Sequence, residues 1–216
     1  MNSITLDGIS PKYFTPKTIA TATTIWNKKT TFEKGSYYLI IAPSGSGKST
    51  LATAMLGNHF EYEGTISYNQ ASLKSQSIEQ IVSYRKQQVQ LLFQDVRMIP
   101  DLTIRENILL RTFSKKNVEF EPKLQQYALT LGIVSLLDKK ARNCSYGERQ
   151  RSAILRSLIN PAEFLIYDEC FSHLDLNNKK IAYDLITGVA AQSGSAVIFF
   201  ELNDFPFEHQ CQILNL

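Results

Sequence analysis

One nine-residue stretch, Ala42-Pro43-Ser44-Gly45-Ser46-Gly47-Lys48-Ser49-Thr50, restricts what this chain can fold into more than any other. It follows an apolar run of strand length, Tyr37 to Ile41, and leads into helix-like sequence beginning near Ser49. A strand that enters a glycine-rich turn and leaves as a helix is the context of a phosphate-binding loop. Glycine at 45 and 47 lets consecutive backbone N–H groups converge on phosphate oxygens, and the helix N-terminus adds its partial positive charge. Lys48 then reaches the β and γ phosphates, and the Ser49 hydroxyl suits Mg²⁺, a cation that takes oxygen ligands and keeps several waters. Residues Ser44, Gly45, Ser46, Gly47, Lys48, Ser49 and Thr50 are therefore the expected nucleotide phosphate contacts. Ala42 stands where the pattern G-x-x-x-x-G-K-[ST] has its first glycine, so its φ must be negative for the β-carbon to fit.

The rest of the sequence supplies a frame of the matching kind. Short apolar runs at Tyr37 to Ala42, Val89 to Phe93, Phe164 to Tyr167, Ala196 to Phe200 and Gln212 to Leu216 alternate with longer helix-like stretches, which reads as an α/β fold with a largely parallel core sheet. In one such stretch, Asn177 to Gln192, the residues Ile181, Leu185, Ile186 and Val189 share a face expected to pack on the sheet, and Gly194 is the stop. From Asp95 to about Asn160 strand signals give way to helical spacing (Ile104, Ile108, Leu109; Leu124, Ala128, Leu129, Leu131), which predicts an inserted helical lobe. The first 35 residues, rich in Thr and carrying Trp26 and Phe32, are consistent with a small antiparallel β region. Without internal repeat or linker, the 216 residues are expected to be a single domain, with 1–94 and 161–216 forming the nucleotide-binding core and 95–160 the helical lobe.

Composition narrows the class of function. A net charge of +3 spread along the chain gives no strong reason, from composition alone, to expect nucleic acid or anionic lipid as the main partner, and no nucleic acid is expected. The three cysteines, Cys144, Cys170 and Cys211, form neither a C-x-x-C pair nor a paired framework, which suits a reducing compartment and small core residues rather than zinc. Met1 to Ser10 lacks an apolar signal region, and no apolar run approaches the length of a membrane span. Work at a membrane would need a partner to hold the chain there.

Four further segments carry chemistry. Phe164-Leu165-Ile166-Tyr167-Asp168-Glu169 is an apolar strand ending in two acids: Asp168 can hold Mg²⁺ through water, and Glu169 can orient or deprotonate the attacking water. Leu91-Leu92-Phe93-Gln94-Asp95 ends another apolar strand in an amide able to reach Mg²⁺ or the lytic water. Cys144-Ser145-Tyr146-Gly147-Glu148 contains a capping box, Ser145 with Glu148, before the helical stretch Arg149 to Leu158. Ser172-His173-Leu174-Asp175 completes the set. In order and spacing these segments resemble the Q-loop, signature, Walker B and D-loop of ABC ATPases over nearly the whole chain. The wording of Phe93 to Ile108 and Ser145 to Arg151 is most similar to the ATPases of lipoprotein-release, cell-division and macrolide-export systems.

That resemblance implies an ATP- and Mg²⁺-dependent ATPase, catalytic through Glu169, Gln94 and Lys48. It implies metal contacts from Ser49, Gln94 and Asp168, and a signature turn of Ser145, Gly147 and Glu148 that clasps the γ-phosphate of ATP held by a second ATPase subunit, identical or paralogous. It also implies a transmembrane permease-like partner that keeps the chain at the inner face of the cell membrane. An aromatic residue upstream of the phosphate loop usually stacks on adenine; Tyr13 and Phe14 stand at about the right distance, and either could equally be core of the β region. The departures are specific. Tyr146 replaces the family's glycine, and Cys170 and Phe171 replace its usual Pro-Thr. The switch histidine is missing: ungapped spacing puts Leu202 at its position, and a one-residue shift puts Asn203 there, followed by Asp204. His209 lies too far on, and His173 sits in the D-loop. Slow hydrolysis with binding largely intact is the expectation, and a nucleotide-dependent regulatory subunit is the alternative.

Overall fold

The computed structural model describes residues 1–13, 23–111, 120–204 and 210–216. Phe14 and His209 lie outside the described residues. The chain divides into two compact units, Met1–Leu91 with Ala162–Glu169 and Gly194–Leu216, and Leu92–Pro161 with Cys170–Ser193.

The first unit is built on two sheets. One has the order β6-β7-β8-β3-β9, from β3 (Tyr37–Ile41), β6 (Val89–Leu92), β7 (Phe164–Asp168), β8 (Ala196–Glu201) and β9 (Cys211–Asn215). The β7/β8, β8/β3 and β3/β9 pairs are parallel. Every residue of β7 and β8 is buried, which is why these two strands read as unbroken apolar runs rather than as alternation. All five runs singled out in the sequence are strands of this sheet. The register sets Asp168 beside Phe200 and Ile41 beside Glu201, so the C-terminal ends of β7, β8 and β3 lie in one row. Ligands of open parallel sheets bind at that edge.

The second sheet is antiparallel, in the order β2-β1-β4-β5, from β1 (Ser3–Pro11), β2 (Lys29–Glu33), β4 (Tyr62–Tyr68) and β5 (Ala71–Ser72). Ile4 lies between Phe32 and Tyr68, and all three are buried. Phe32 meets Tyr38 of β3 edge to face, 4.9 Å between ring centroids, and the Tyr38 hydroxyl accepts from Glu33 N–H at 2.8 Å, so the two sheets share one core. The antiparallel region foreseen in the first 35 residues thus also takes in residues 62–72. Where β1 bulges between Asp7 and Ser10, Gly64 faces it with φ 72°, and a β-carbon on Gly64 would lie 2.4 Å from the Gly8 carbonyl oxygen. Gly64→Ala is expected to destabilise the protein by about 3 kcal/mol through this backbone collision and the left-handed φ. Denaturant unfolding is the check.

The helices of the first unit are α1 (Lys48–Met55) and α2 (Ile78–Gln87). The second unit holds α3 (Ile104–Leu109), α4 (Phe120–Thr130), α5 (Tyr146–Leu158) and α6 (Leu176–Ser193). Within it α3 and α4 pack on α5, and α6 packs on α4 and α5. Ile104, Ile108, Leu124, Ala128 and Leu131 are buried as their spacing requires, whereas Leu109 and Leu129 fall off those faces and are exposed. The buried face of α6 is centred on Ala182, Tyr183, Ile186 and Val189, leaving Ile181 and Leu185 half-buried at its border. Gly194 ends the helix with φ 67°. Cys144 and Cys170 are buried free thiols, and Cys211 is half-buried.

Candidate functional site

The strand-loop-helix expected around Ala42 to Thr50 is present as β3, the turn 42–47 and α1. Gly45 and Gly47 have φ 79° and 95°, the left-handed region where glycine escapes the β-carbon clash, and Ala42 is not among the residues of positive φ. The alanine therefore fits for the reason given from sequence. Its N–H bonds to the Glu201 carbonyl at 3.1 Å, which ties the start of the loop to the end of β8. Gly47 is the N-cap of α1 and offers no side chain to the first-turn amides, and that turn holds no acidic residue. The positive end of the helix is left to an external anion. The Ser46 hydroxyl oxygen is buried with no hydrogen-bond partner among the described residues, a donor placed for phosphate within the loop.

Lys48 is 5% exposed and folds back over this turn, donating to the carbonyls of Ala42 at 2.9 Å and Pro43 at 3.1 Å. Its Nζ also lies 3.1 Å from Glu169 Oε1, an ion pair between two buried side chains. Nothing in the sequence pairs these residues, which lie far apart in the chain; the parallel order of β7, β8 and β3 brings them together. Glu169 itself has φ 48°, a conformation that costs a non-glycine residue about 1–2 kcal/mol. Its N–H donates to the Phe200 carbonyl at 2.8 Å, which helps hold the strained residue at the end of β7. Asp168, the last residue of β7, is buried. Among the described residues no cluster of three or more His, Cys, Asp or Glu side chains could hold a metal. A hydroxyl from Ser49 and a carboxylate from Asp168 still suit Mg²⁺, which is usually bound by one or two protein oxygens together with phosphates and water.

Tyr13 is exposed, and its hydroxyl meets Thr50 Oγ1 at 2.8 Å, so it stands at the first turn of α1 rather than in a β core. Gln94 and the signature turn belong to the second unit. Ser145 is the N-cap of α5, and the capping box forms in full: Glu148 N–H donates to Ser145 Oγ at 3.3 Å and Ser145 N–H to Glu148 Oε2 at 2.7 Å. The Ser145 backbone hydrogen bond holds the Glu148 carboxyl below the usual carboxylate range. Leu202 is the first residue past β8, and Leu202, Asn203 and Asp204 are all exposed. Phosphate loop, Asp168, Glu169 and Tyr13 thus come together in one unit, and Gln94, Ser145, Gly147 and Glu148 in the other.

The sequence matches the family described as ABC transporter over residues 26–172. It is 37% identical over 156 residues to the lipoprotein-releasing system ATP-binding protein LolD of Buchnera aphidicola, a match covering 71% of this chain and 68% of that protein. It is 30% identical over 182 residues to the ABC transporter ATP-binding protein YvcR of Bacillus subtilis, covering 83% and 70%. Among solved structures, the dimeric structure of MJ0796, a bacterial ABC transporter cassette, is similar to it with a TM-score of 0.79 and 19% identity, over 98% of this chain and 94% of that one.

Proposed function

The chain belongs to the ABC transporter family of ATPases, and from that premise we propose that it is the ATP-binding and hydrolysing subunit of a transporter, closing with a second ATPase subunit on ATP and driving a separate transmembrane permease-like protein. The observation that carries this reading is the buried Lys48–Glu169 pair at the edge of the parallel sheet, beside a glycine-turned loop whose helix has no side-chain cap and no acid in its first turn. The loop amides of 44–50 and the Ser46 hydroxyl bind the phosphates. Lys48, exchanging Glu169 for phosphate oxygens, leaves the carboxylate free to take a proton from the attacking water. Ser49 and Asp168 would hold Mg²⁺, which would supply positive charge against the phosphates. Gln94 keeps the role the resemblance gives it, an amide oxygen for Mg²⁺ or the lytic water, and Tyr13 supports adenine. Ser145, Gly147 and Glu148 present the α5 N-terminus to the ATP of the second subunit. Likeness to LolD supports a place among the lipoprotein-release, cell-division and macrolide-export systems. Among the described residues no helix is long and apolar enough to cross a membrane, and the permease-like partner would hold the chain at the inner face of the cell membrane.

Turnover is proposed to be slow, because neither Leu202 nor Asn203 supplies an imidazole at the switch position. Restoring histidine at one of them is expected to raise single-turnover hydrolysis about tenfold, roughly 1.4 kcal/mol of transition-state stabilisation. The more active of Leu202→His and Asn203→His identifies the register. If both bind ATP normally and stay at the wild-type rate, the missing imidazole does not limit this protein. The vacant switch also favours a second reading, a regulatory subunit that closes on ATP with little turnover. Steady-state ATPase with and without native membranes separates the two: stimulation by membranes supports the motor, and a rate near zero in both supports the regulator.

A further inference from the structure

At the start of α5 three separate segments of the second unit converge on one side chain. Tyr146 donates its hydroxyl proton to the backbone carbonyl of Gln94 across 2.5 Å. Its ring lies on the His173 imidazole, centroids 4.1 Å apart and planes inclined at 48°. One helical turn on, Gln150 is fully buried, accepts from His173 N–H at 3.2 Å and donates to Ser172 Oγ at 3.4 Å. Ser172 Oγ in turn lies 2.9 Å from His173 Nδ1. Gly147 permits this close approach, since a β-carbon there would stand 3.2 Å from the His173 carbonyl oxygen.

The Gln94 end of the contact is equally constrained. Val96 and Arg97 have φ 50° and 41°, a conformation that disfavours a β-branched residue, and the Arg156 guanidinium grips their carbonyls at 2.7 and 2.9 Å. The Arg97 guanidinium sits 3.5 Å over the Phe93 ring.

We propose that Tyr146 is a positioning residue: its hydroxyl fixes the Gln94 peptide to the first turn of α5, so that the Gln94 segment, the signature turn and the 172–173 loop move as one body. This rests on the reading of the chain as an ATPase that uses Gln94. Glycine, the family's residue at this position, could make none of these contacts, so here the Gln94 segment depends on a phenol.

Tyr146→Phe keeps the ring on His173 and removes only the hydrogen bond. In the nucleotide-free protein, hydrogen exchange of the peptide covering 93–98 is expected to quicken about fivefold, the worth of one modest hydrogen bond. The single-turnover rate with Mg-ATP should fall by a similar factor, with ATP affinity unchanged and the melting temperature lowered by only about 2–4 °C, the shift that one hydrogen bond is worth in a chain of this size. Unchanged exchange or an unchanged rate overturns the proposal, and so does a loss of rate that merely follows weaker ATP binding or a fall in melting temperature large enough to unfold the protein at the assay temperature. If the wild-type chain fails to bind ATP, the proposed function fails, while the exchange comparison still decides whether Tyr146 holds the Gln94 segment.

Discussion

Lys48→Ala is expected to weaken ATP binding by at least about a hundredfold, roughly 2.8 kcal/mol. Two effects add. The variant loses the amine that makes charge-assisted bonds to phosphate, which are about twice as strong as neutral ones. It also leaves Glu169, a buried carboxylate whose ion-pair partner is Lys48, facing an incoming polyanion. Breaking a buried pair from one side costs about 3–5 kcal/mol of stability, so the single variant also melts lower. The double variant Lys48→Ala/Glu169→Gln removes both charges, should recover much of that stability, and should still bind ATP poorly. Titration with a fluorescent ATP analogue, beside thermal melts of all three proteins, checks this. Unchanged affinity in Lys48→Ala would remove the phosphate site from the 42–50 turn.

Glu169→Gln is expected to act in the opposite way. An amide of the same shape can still accept a hydrogen bond from Lys48 but cannot take a proton from water, so single-turnover hydrolysis should fall by about 10²- to 10⁴-fold. ATP binding should persist or tighten, because Lys48 leaves a neutral amide for phosphate more readily than it leaves a carboxylate. The strained φ of Glu169 makes the choice of variant important. Asparagine tolerates that conformation well but would draw the side chain back by one methylene, so glutamine tests the charge alone. Hydrolysis at the wild-type rate in Glu169→Gln would assign the base to another group.

Much of this arrangement was legible in the sequence because the signals were local. An apolar run, two glycines and a lysine specify β3, its turn and α1 without reference to the rest of the chain. Ser145 and Glu148 specify the start of α5 in the same way, through bonds that close within one helical turn. β7 and β8 announce themselves as uninterrupted apolar runs because both are buried throughout. Other elements depend on partners distant in sequence. β4 carries Gly64 as its third residue, which breaks the alternation of Tyr62, Ile66 and Tyr68, and its glycine makes sense only against the bulge in β1. Tyr183 of α6 is buried although it is not one of the apolar residues whose spacing marked that helix face. The positive φ values of Val96 and Glu169 run against residue preference, and what holds them, Arg156 for one and Phe200 for the other, comes from remote chain. At Tyr146 the sequence showed a departure from the family, and only the fold showed the ring and hydroxyl in use.

ATP bound at Lys48 is expected to draw this chain into a pair with a second ATPase subunit. Glu169→Gln is the protein in which that pair should persist, and light scattering after size-exclusion chromatography reads its mass directly. With Mg-ATP the mass should double relative to the nucleotide-free protein, or reach that of a heterodimer when a paralogous subunit is supplied, and Lys48→Ala should remain a monomer under the same conditions. A Glu169→Gln protein that stays monomeric at saturating Mg-ATP, both alone and with the paralogue, would contradict the account.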